Sequence, residues 1–322
     1  MSGNRLGADR LISICIPTYR RPDLVAQALD SCFAQTYPWV EIVVGDDSPD
    51  DLTKRVVARY IQQHPMMIRY RHHVPSLGQN GNVNDLFARA EGDRLVLLHD
   101  DDVLLPNAIK KLAALWDSLP TLDAAFGKQC LVEHDGTPAL PERTLALNAG
   151  YHRLPANAGR QTLPVVAGLL RMFPNDGYMV SKALARQIGY RSRKEVGDAC
   201  DTDFGLRLCA VAREIWFLDE FIVKYRLSND SISKHSIVEP YTYDMLSNLK
   251  VPREVETILK VARREIVPGA VSGFARLGQT GRAWQLLVSP DYAWRRRLSP
   301  RGAYHLLLIL GSLVRTARTI DN

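Results

Sequence analysis

Two hydrophobic periods alternate along the first part of the chain. Residues 11–16, Leu-Ile-Ser-Ile-Cys-Ile, are a short apolar run rich in β-branched side chains, the mark of a strand buried on both faces. Pro22 then opens a helix in which Leu24, Val25, Ala28, Leu29, Cys32 and Phe33 recur at helical spacing. Residues 41–44 give a second strand. After it Ser48 is expected as N-cap and Pro49 as first helical residue, with Leu52, Val56, Val57, Tyr60 and Ile61 on the buried face and His64-Pro65 as the stop. Residues 68–71 predict a third strand, 83–90 a third helix and 95–98 a fourth strand, followed by a helix from Pro106 to about Leu119. Strands alternating with helices of this length imply βαβ units and a mostly parallel sheet flanked by helices, an α/β fold of Rossmann-like kind.

From Asp123 the rhythm loosens. Residues 124–132 read as another strand, and 133–165, with prolines, glycines and scattered polar residues, as a long substrate-facing excursion. A brief strand at 178–180, helices at 181–188 and 203–211, and strands at 215–218 and 221–223 follow. Beyond about 240 the pattern is helical, at 254–266, 270–277, 281–287 and 301–319. The expected organisation is a polar extension (1–10), one α/β domain (11–238) and a C-terminal helical appendage (239–322). The last helix carries the apolar run 305–310, about half of the roughly 20 residues that span a bilayer. Arg295, Arg296, Arg297, Arg301, Arg315 and Arg318 flank it. Docking on the body and lying on an anionic membrane surface are both readings of this helix.

Composition narrows the class. Of 322 residues 46% are hydrophobic and 24% charged, ordinary for a globular protein and unlike a disordered, fibrous or polytopic membrane chain. The 41 basic residues exceed the 35 acidic ones, and much of the excess lies in the tail. Five cysteines, an odd number with no C-x-x-C pair, read as reduced thiols in a cytoplasmic protein, and the polar N-terminus reads as no secretory leader. There is no G-x-G-x-x-G after the first strand and no Walker-type loop, which argues against a dinucleotide enzyme and a P-loop enzyme. The basic residues form no nucleic-acid reader motif, so no nucleic-acid partner is expected.

In an open parallel sheet ligands bind beyond the carboxyl ends of the strands. Here those ends read Pro17-Thr18-Tyr19-Arg20-Arg21, Gly45-Asp46-Asp47-Ser48 and His99-Asp100-Asp101-Asp102. Adjacent carboxylates repel one another unless a cation or hydrogen-bond donors neutralise them, and hard oxygen ligands suit Mg²⁺ or Mn²⁺ carrying nucleotide phosphates. A solvated acidic turn is the plain alternative for the triplet. Asp46 and Asp47 suit either a helix N-terminus or hydrogen bonds to a base or ribose, and Tyr19 either a sheet edge or a stacking platform.

These segments carry a resemblance. The stretch ISICIPTYRRPDLVAQALDSCFAQTYPWVEIVVGDDSPDD, followed by LLHDDDVLLP, resembles the family 2 glycosyltransferases, over roughly residues 10–235. The resemblance implies the glycosyltransferase A-type fold, a nucleoside-diphosphate-sugar donor and a divalent metal, Mg²⁺ or Mn²⁺. It puts Pro17, Thr18, Tyr19, Arg21 and Asp46 or Asp47 at the nucleotide, Asp100 and Asp101 at the ribose, and Asp100 and Asp102 in the metal-holding acidic element. A later motif, here Cys200-Asp201-Thr202-Asp203, matches Asp201 to the catalytic base; Cys200 stands where glutamate is usual. Asp201 also suits the N-cap of the 203–211 helix. Asn82 is expected as a polar contact near the nucleotide, Arg226 as a phosphate contact from a late loop, and His235 as a further metal ligand.

The expected reaction is inverting transfer of a sugar to an acceptor hydroxyl, in surface polysaccharide or glycoconjugate synthesis. The acceptor is a sugar or a lipid-linked glycan, and the tail is the candidate for peripheral membrane contact. The alternatives are a nucleotidyltransferase, which would carry a glycine-rich arginine loop after the first strand, and an inactive nucleotide-sugar-binding or scaffold subunit.

Overall fold

The computed structural model describes residues 11–227 and 236–320, with side chains to residue 313. The chain divides into two units, Met1–Ser192 with Phe204–Ser231, and Arg193–Asp203 with Ile232–Asn322.

The first unit begins with the expected alternation. β1 (Ile12–Thr18) leads to α1 (Pro22–Phe33), β2 (Val40–Asp46) to α2 (Leu52–Gln63), and β3 (Ile68–His72) to α3 (Gly78–Arg89). β4 (Arg94–Leu97), the short β5 (Val103–Leu104) and α4 (Ala108–Ser118) follow. β1 runs parallel to β2 and β4, and β2 parallel to β3. Ile12, Ile14 and Ile16 of β1 pack with Val25, Ala28 and Leu29 of α1, Val57 of α2 and Ile109 and Leu112 of α4, all essentially inaccessible to solvent. Phe87 of α3 belongs instead to an aromatic group with Tyr190 and Phe204.

The second half of the sheet is mixed. It contains β6 (Ala124–Val132), β7 (Gly159–Gln161), β8 (Met179–Ser181) and β9 (Ile215–Arg226), and between them α5 (Pro141–Gly150), α6 (Pro164–Leu169), α7 (Lys182–Ile188), α8 (Arg193–Val196) and α9 (Cys200–Val211). The strand order is β3-β2-β1-β4-β8-β6-β9-β5, with β7 also on β9. β8 runs antiparallel to both β4 and β6.

Several expectations are corrected. Ser48 does not cap α2: its Oγ accepts from the Arg20 N–H at 2.8 Å and its own N–H donates to Asp46 Oδ1, so the helix starts later, with Asp50 accepting from the Leu52 N–H. α3 starts at Gly78, five residues early, because two asparagines near its start are buried and bonded: Asn80 donates to the Arg191 carbonyl and Asn82 to that of Gly45. The 133–165 excursion is not a bare loop, since it holds α5 and β7. The two late strands are one, β9, continuous through Asp219 and Glu220 because β6 pairs along it with register shifts around Lys128. Gly127 is needed at that irregularity, where a Cβ would lie 2.3 Å from Ile222 Cγ1.

The second unit adds α10 (Glu239–Asn248), which the pattern did not announce, then α11 (Glu256–Arg276), α12 (Thr280–Val288), α13 (Trp294–Arg297) and α14 (Pro300–Ile320). α11 replaces two expected helices. Pro268 removes one N–H from its interior, yet Val267, Ala270 and Val271 on either side sink into the same core with Phe274, Leu286, Tyr292 and Ile309, and that packing carries the helix across. Gly269 and Gly273 let α10 approach: a Cβ there would meet Glu239 at 2.6 Å and Pro240 at 2.4 Å.

Candidate functional site

Parallel pairing of β1 with β2 and β4 brings three polar strand ends to one edge of the first unit. Thr18 pairs with Asp46 in register, and Cys15 with Leu97 two residues before His99. Arg20 adopts a left-handed backbone (φ 55°), turning the chain sharply after β1. That turn presents the Tyr19 N–H to Asp100 Oδ2 at 3.2 Å. The Arg21 guanidinium donates to Asp100 Oδ1 at 2.9 Å and Asp101 Oδ2 at 2.8 Å, drawing β1 and the acidic triplet together. Pro17 is half-buried and Thr18 buried, while the Tyr19 ring is 51% exposed with Arg20 over its face.

Asp100 and Asp102 are buried, and Asp101 between them is half-buried. Burial pushes the Asp100 carboxyl up, against the pull of Arg21. Burial and the neighbouring Asp176 and Asp101 push Asp102 well above the usual carboxylate range. Asp102 Oδ1 accepts from the Arg226 N–H at 2.8 Å, but its buried Oδ2 receives no hydrogen bond from any described residue. One nitrogen of His99 and one oxygen each of Asp101 and Asp102 lie within 4.8 Å of one another. An orphaned buried carboxylate oxygen beside an imidazole and a second carboxylate fits a divalent cation. The grouping takes His99 and Asp101 with Asp102, whereas Asp100 turns to Tyr19 and Arg21.

The pair at the end of β2 is arranged differently. Asp46, wholly buried, accepts from the Ser48 N–H at 2.8 Å and from the Tyr70 hydroxyl at 2.7 Å. Asp47 meets a His73 ring nitrogen at 2.9 Å and accepts from the Leu77 N–H. Asn82 lies behind them, its Oδ1 so close to Gly45 that a Cβ there would stand 2.0 Å away. Arg226 ends β9 rather than sitting in a loop. It is 5% exposed, and its guanidinium donates to the Asp101 carbonyl at 2.8 Å, the His134 carbonyl at 3.0 Å and Gln27 Oε1 at 2.7 Å.

Asp201 lies in the first turn of α9, within the second unit, half-buried. Because the helix begins at Cys200, Asp201 is a helical residue and not its N-cap, a correction to that structural reading. His235 lies outside the described residues. Sequence reasoning passed over His99 and Asp176 as site residues. Asp176 is fully buried, accepts from Gln129 Nε2 at 3.0 Å and from the His99 N–H at 3.4 Å, and Gln129 is in turn held by Arg153 at 2.7 Å. His99 adjoins the triplet and was within reach of inspection; Asp176, in an ordinary-looking Asn-Asp-Gly turn, announces itself only by burial.

The family profile described as Glycosyl transferase family 2 matches residues 13–178, just over half of the chain and all three strand ends. The chain is a family 2 glycosyltransferase. The GalNAc(5)-diNAcBac-PP-undecaprenol beta-1,3-glucosyltransferase of Campylobacter jejuni is 31% identical to this glycosyltransferase over 125 residues, covering 39% of this chain and 40% of its own length. An uncharacterized protein of Mycobacterium tuberculosis is 24% identical over 304 residues, 91% of this chain and 83% of its own. S. aureus TarS 1-349 in complex with UDP-GlcNAc superposes with TM-score 0.58 at 17% identity, over 94% of this chain and 81% of that one. The mannosyltransferase PcManGT from Pyrobaculum calidifontis, in complex with GDP-Man and Mn²⁺, gives 0.56 at 17% identity, over 94% and 86%. The shared architecture is that of A-type glycosyltransferases, a central sheet flanked by helices, with further helices at the C-terminus.

Proposed function

We propose that this enzyme transfers a sugar with inversion from a nucleoside-diphosphate-sugar to an acceptor hydroxyl, using Asp201 as general base. The observation that carries the reading is the orphaned Asp102 Oδ2 beside His99 and Asp101, at the strand end where the family profile also matches. The donor base stacks on the exposed Tyr19 ring, with Thr18 and Asp46 or Asp47 at its edge; Tyr70 and His73 hold those two carboxylates in place. Asp100, fixed by Tyr19 N–H and Arg21, addresses the ribose. His99, Asp101 and Asp102 are the described residues that would hold Mg²⁺ or Mn²⁺. Such a cation supplies positive charge to the diphosphate as it departs. Arg226, committed to the Asp101 carbonyl and the Asp102 side chain, keeps the acidic element in shape and acts as a positioning residue.

Asp201 takes the proton of the acceptor hydroxyl while that oxygen bonds to the anomeric carbon. The bond from that carbon to the diphosphate oxygen breaks on the opposite face, the electron pair leaves with the nucleoside diphosphate, and one displacement inverts the centre. The Campylobacter relative's name specifies an undecaprenol-diphosphate-linked acceptor, which supports a lipid-linked glycan as acceptor here, in surface polysaccharide or glycoconjugate synthesis. The free cysteines, most of them buried, suit a reducing cytoplasmic compartment.

The test is nucleoside diphosphate release from UDP-, GDP- and dTDP-sugars with and without Mn²⁺, with product anomeric configuration read by NMR. Release that depends on Mn²⁺ and yields the inverted anomer is expected. Asp201→Asn is expected to lower transfer by about a hundredfold or more while donor still raises the thermal midpoint. Wild-type transfer by that variant would remove Asp201 from the mechanism, and pyrophosphate as product would favour a nucleotidyltransferase.

A further inference from the structure

α14 solves only half of its own packing problem. At the helical repeat, Gly302, His305, Ile309 and Ser312 fall on one stripe, and all are buried within the second unit, with the Tyr292 hydroxyl 2.8 Å from His305 Nδ1. The arc that starts beside that stripe and runs round to the far side at Leu307 is also apolar. Leu306, Leu307, Leu310 and Leu313 on it are 39%, 68%, 49% and 52% exposed. No charged residue occurs from Gly302 to Leu313, whereas a helix with one face on a core and the other in water puts charge on the outer face. Trp294 and Leu298, on and just after α13, which packs against α14, add side chains 64% and 81% exposed.

The charge around this face has one sign. Residues 292–320 contain six arginines and no acidic residue. Arg295, Arg296 and Arg301 are exposed, and Arg295 lies over the Trp294 ring at 5.5 Å. The acid just before this stretch, Asp291, is taken by Arg263 at 2.9 Å and Arg264 at 3.6 Å. No helix among the described residues is long and apolar enough to cross a membrane.

We propose that this face of the second unit seats on the surface of a bilayer rich in anionic phospholipid. The leucines enter the acyl boundary, Trp294 lies at the headgroup level, and the arginines pair with lipid phosphates. Charge complementarity selects this occupant over a second copy of the chain, because a two-fold contact through the same patch would bring two arginine sets together. The inference goes beyond the transfer reaction and does not depend on it.

Flotation of the full chain with vesicles tests it, using phosphatidylcholine alone and phosphatidylcholine mixed with phosphatidylglycerol. The wild type is expected to float with the mixed vesicles and far less with phosphatidylcholine alone, and high salt should weaken the binding. Leu307→Glu with Leu310→Glu should lower partitioning by at least about tenfold with an unchanged thermal midpoint. Arg295→Gln with Arg296→Gln, which leaves the leucines intact and guards against misfolding of the first variant, should cost roughly fivefold per arginine. A wild type that stays unbound, or binding equal on both vesicles and indifferent to the arginine variant, overturns the proposal. So does a lipid-independent dimer in sedimentation velocity that Leu307→Glu dissolves, which would assign the face to a second copy.

Discussion

The two acidic strand ends of the first unit are built from the same residue type on the two parallel strands that flank β1, and they are finished in opposite ways. At the end of β2, Asp46 is closed by a backbone N–H and the Tyr70 hydroxyl, and Asp47 by His73 and the Leu77 N–H. After β4, Asp100 and Asp101 share one arginine, and Asp102 keeps an inner oxygen with no donor while Asp176 and Asp101 crowd it with like charge. A buried carboxylate supplied with donors is part of the scaffold. One left unsupplied among other carboxylates costs stability, and it persists where a cation completes it. Hydrogen-bond partners and neighbouring charge together separate a preformed wall from a place prepared for a ligand.

The sharpest way to break this contrast is to remove charge from each end in turn. Asp102→Asn keeps an oxygen for the Arg226 N–H and removes the orphaned anion. Transfer should fall on the order of a thousandfold, several kcal/mol of leaving-group stabilisation. The Mn²⁺-dependent rise in thermal midpoint with donor should vanish, and the ligand-free midpoint should hold or rise, because like-charge crowding is relieved. A fall in ligand-free stability would mean that Asp102 is scaffold after all. Asp46→Ala should instead lower the ligand-free stability. It strands the Tyr70 hydroxyl and the Ser48 N–H in a buried site, and should cost about 3 kcal/mol of unfolding free energy in urea titrations. Tyr70→Phe removes one of those two donors and leaves the charge, so a smaller loss of about 1–2 kcal/mol is expected from the same titration. If Tyr70→Phe matched Asp46→Ala, the carboxylate would owe its place to the tyrosine alone.

The half of the sheet that carries these ends was legible because local signals agree there. Pro22 starts α1 where proline suits a first helical turn, β-branched runs are buried on both faces, and acidic clusters stand directly after them. The later half was less legible because its order comes from distant partners. β9 reads as two strands around Asp219 and Glu220, and only continuous pairing with β6 makes it one. α11 reads as two helices around Pro268, and only a shared core makes it one. In the site itself the triplet and Arg21 stand out by type and spacing. Tyr70, His73 and Asp176 reach it from other strands and turns, and nothing in their local sequence marks them.

The smallest effect expected concerns what lies behind His73. Its second ring nitrogen is 3.1 Å from Asp85 Oδ2, and Asp85 also accepts from Arg89 at 2.5 Å and Arg71 at 2.6 Å. Burial raises the Asp85 pKa, but hydrogen bonds from Arg89 and His73 and the charge of both arginines outweigh it and hold the carboxyl below its ordinary value. The folded state therefore binds this proton less readily than the unfolded chain. The stabilisation is fully present above the unfolded carboxylate pKa of about 4 and is lost as pH falls through the lower folded value. Thermal midpoints measured from pH 7 to pH 3 should differ between wild type and Asp85→Asn by a constant amount down to about pH 4 and converge below it. Because the two arginines stay partly exposed, that gap should be modest and should shrink in high salt. A gap that widened on acidification would mean that Asp85 binds its proton more tightly when folded, and the line of support running from Arg89 through Asp85 and His73 to Asp47 would lose its electrostatic basis.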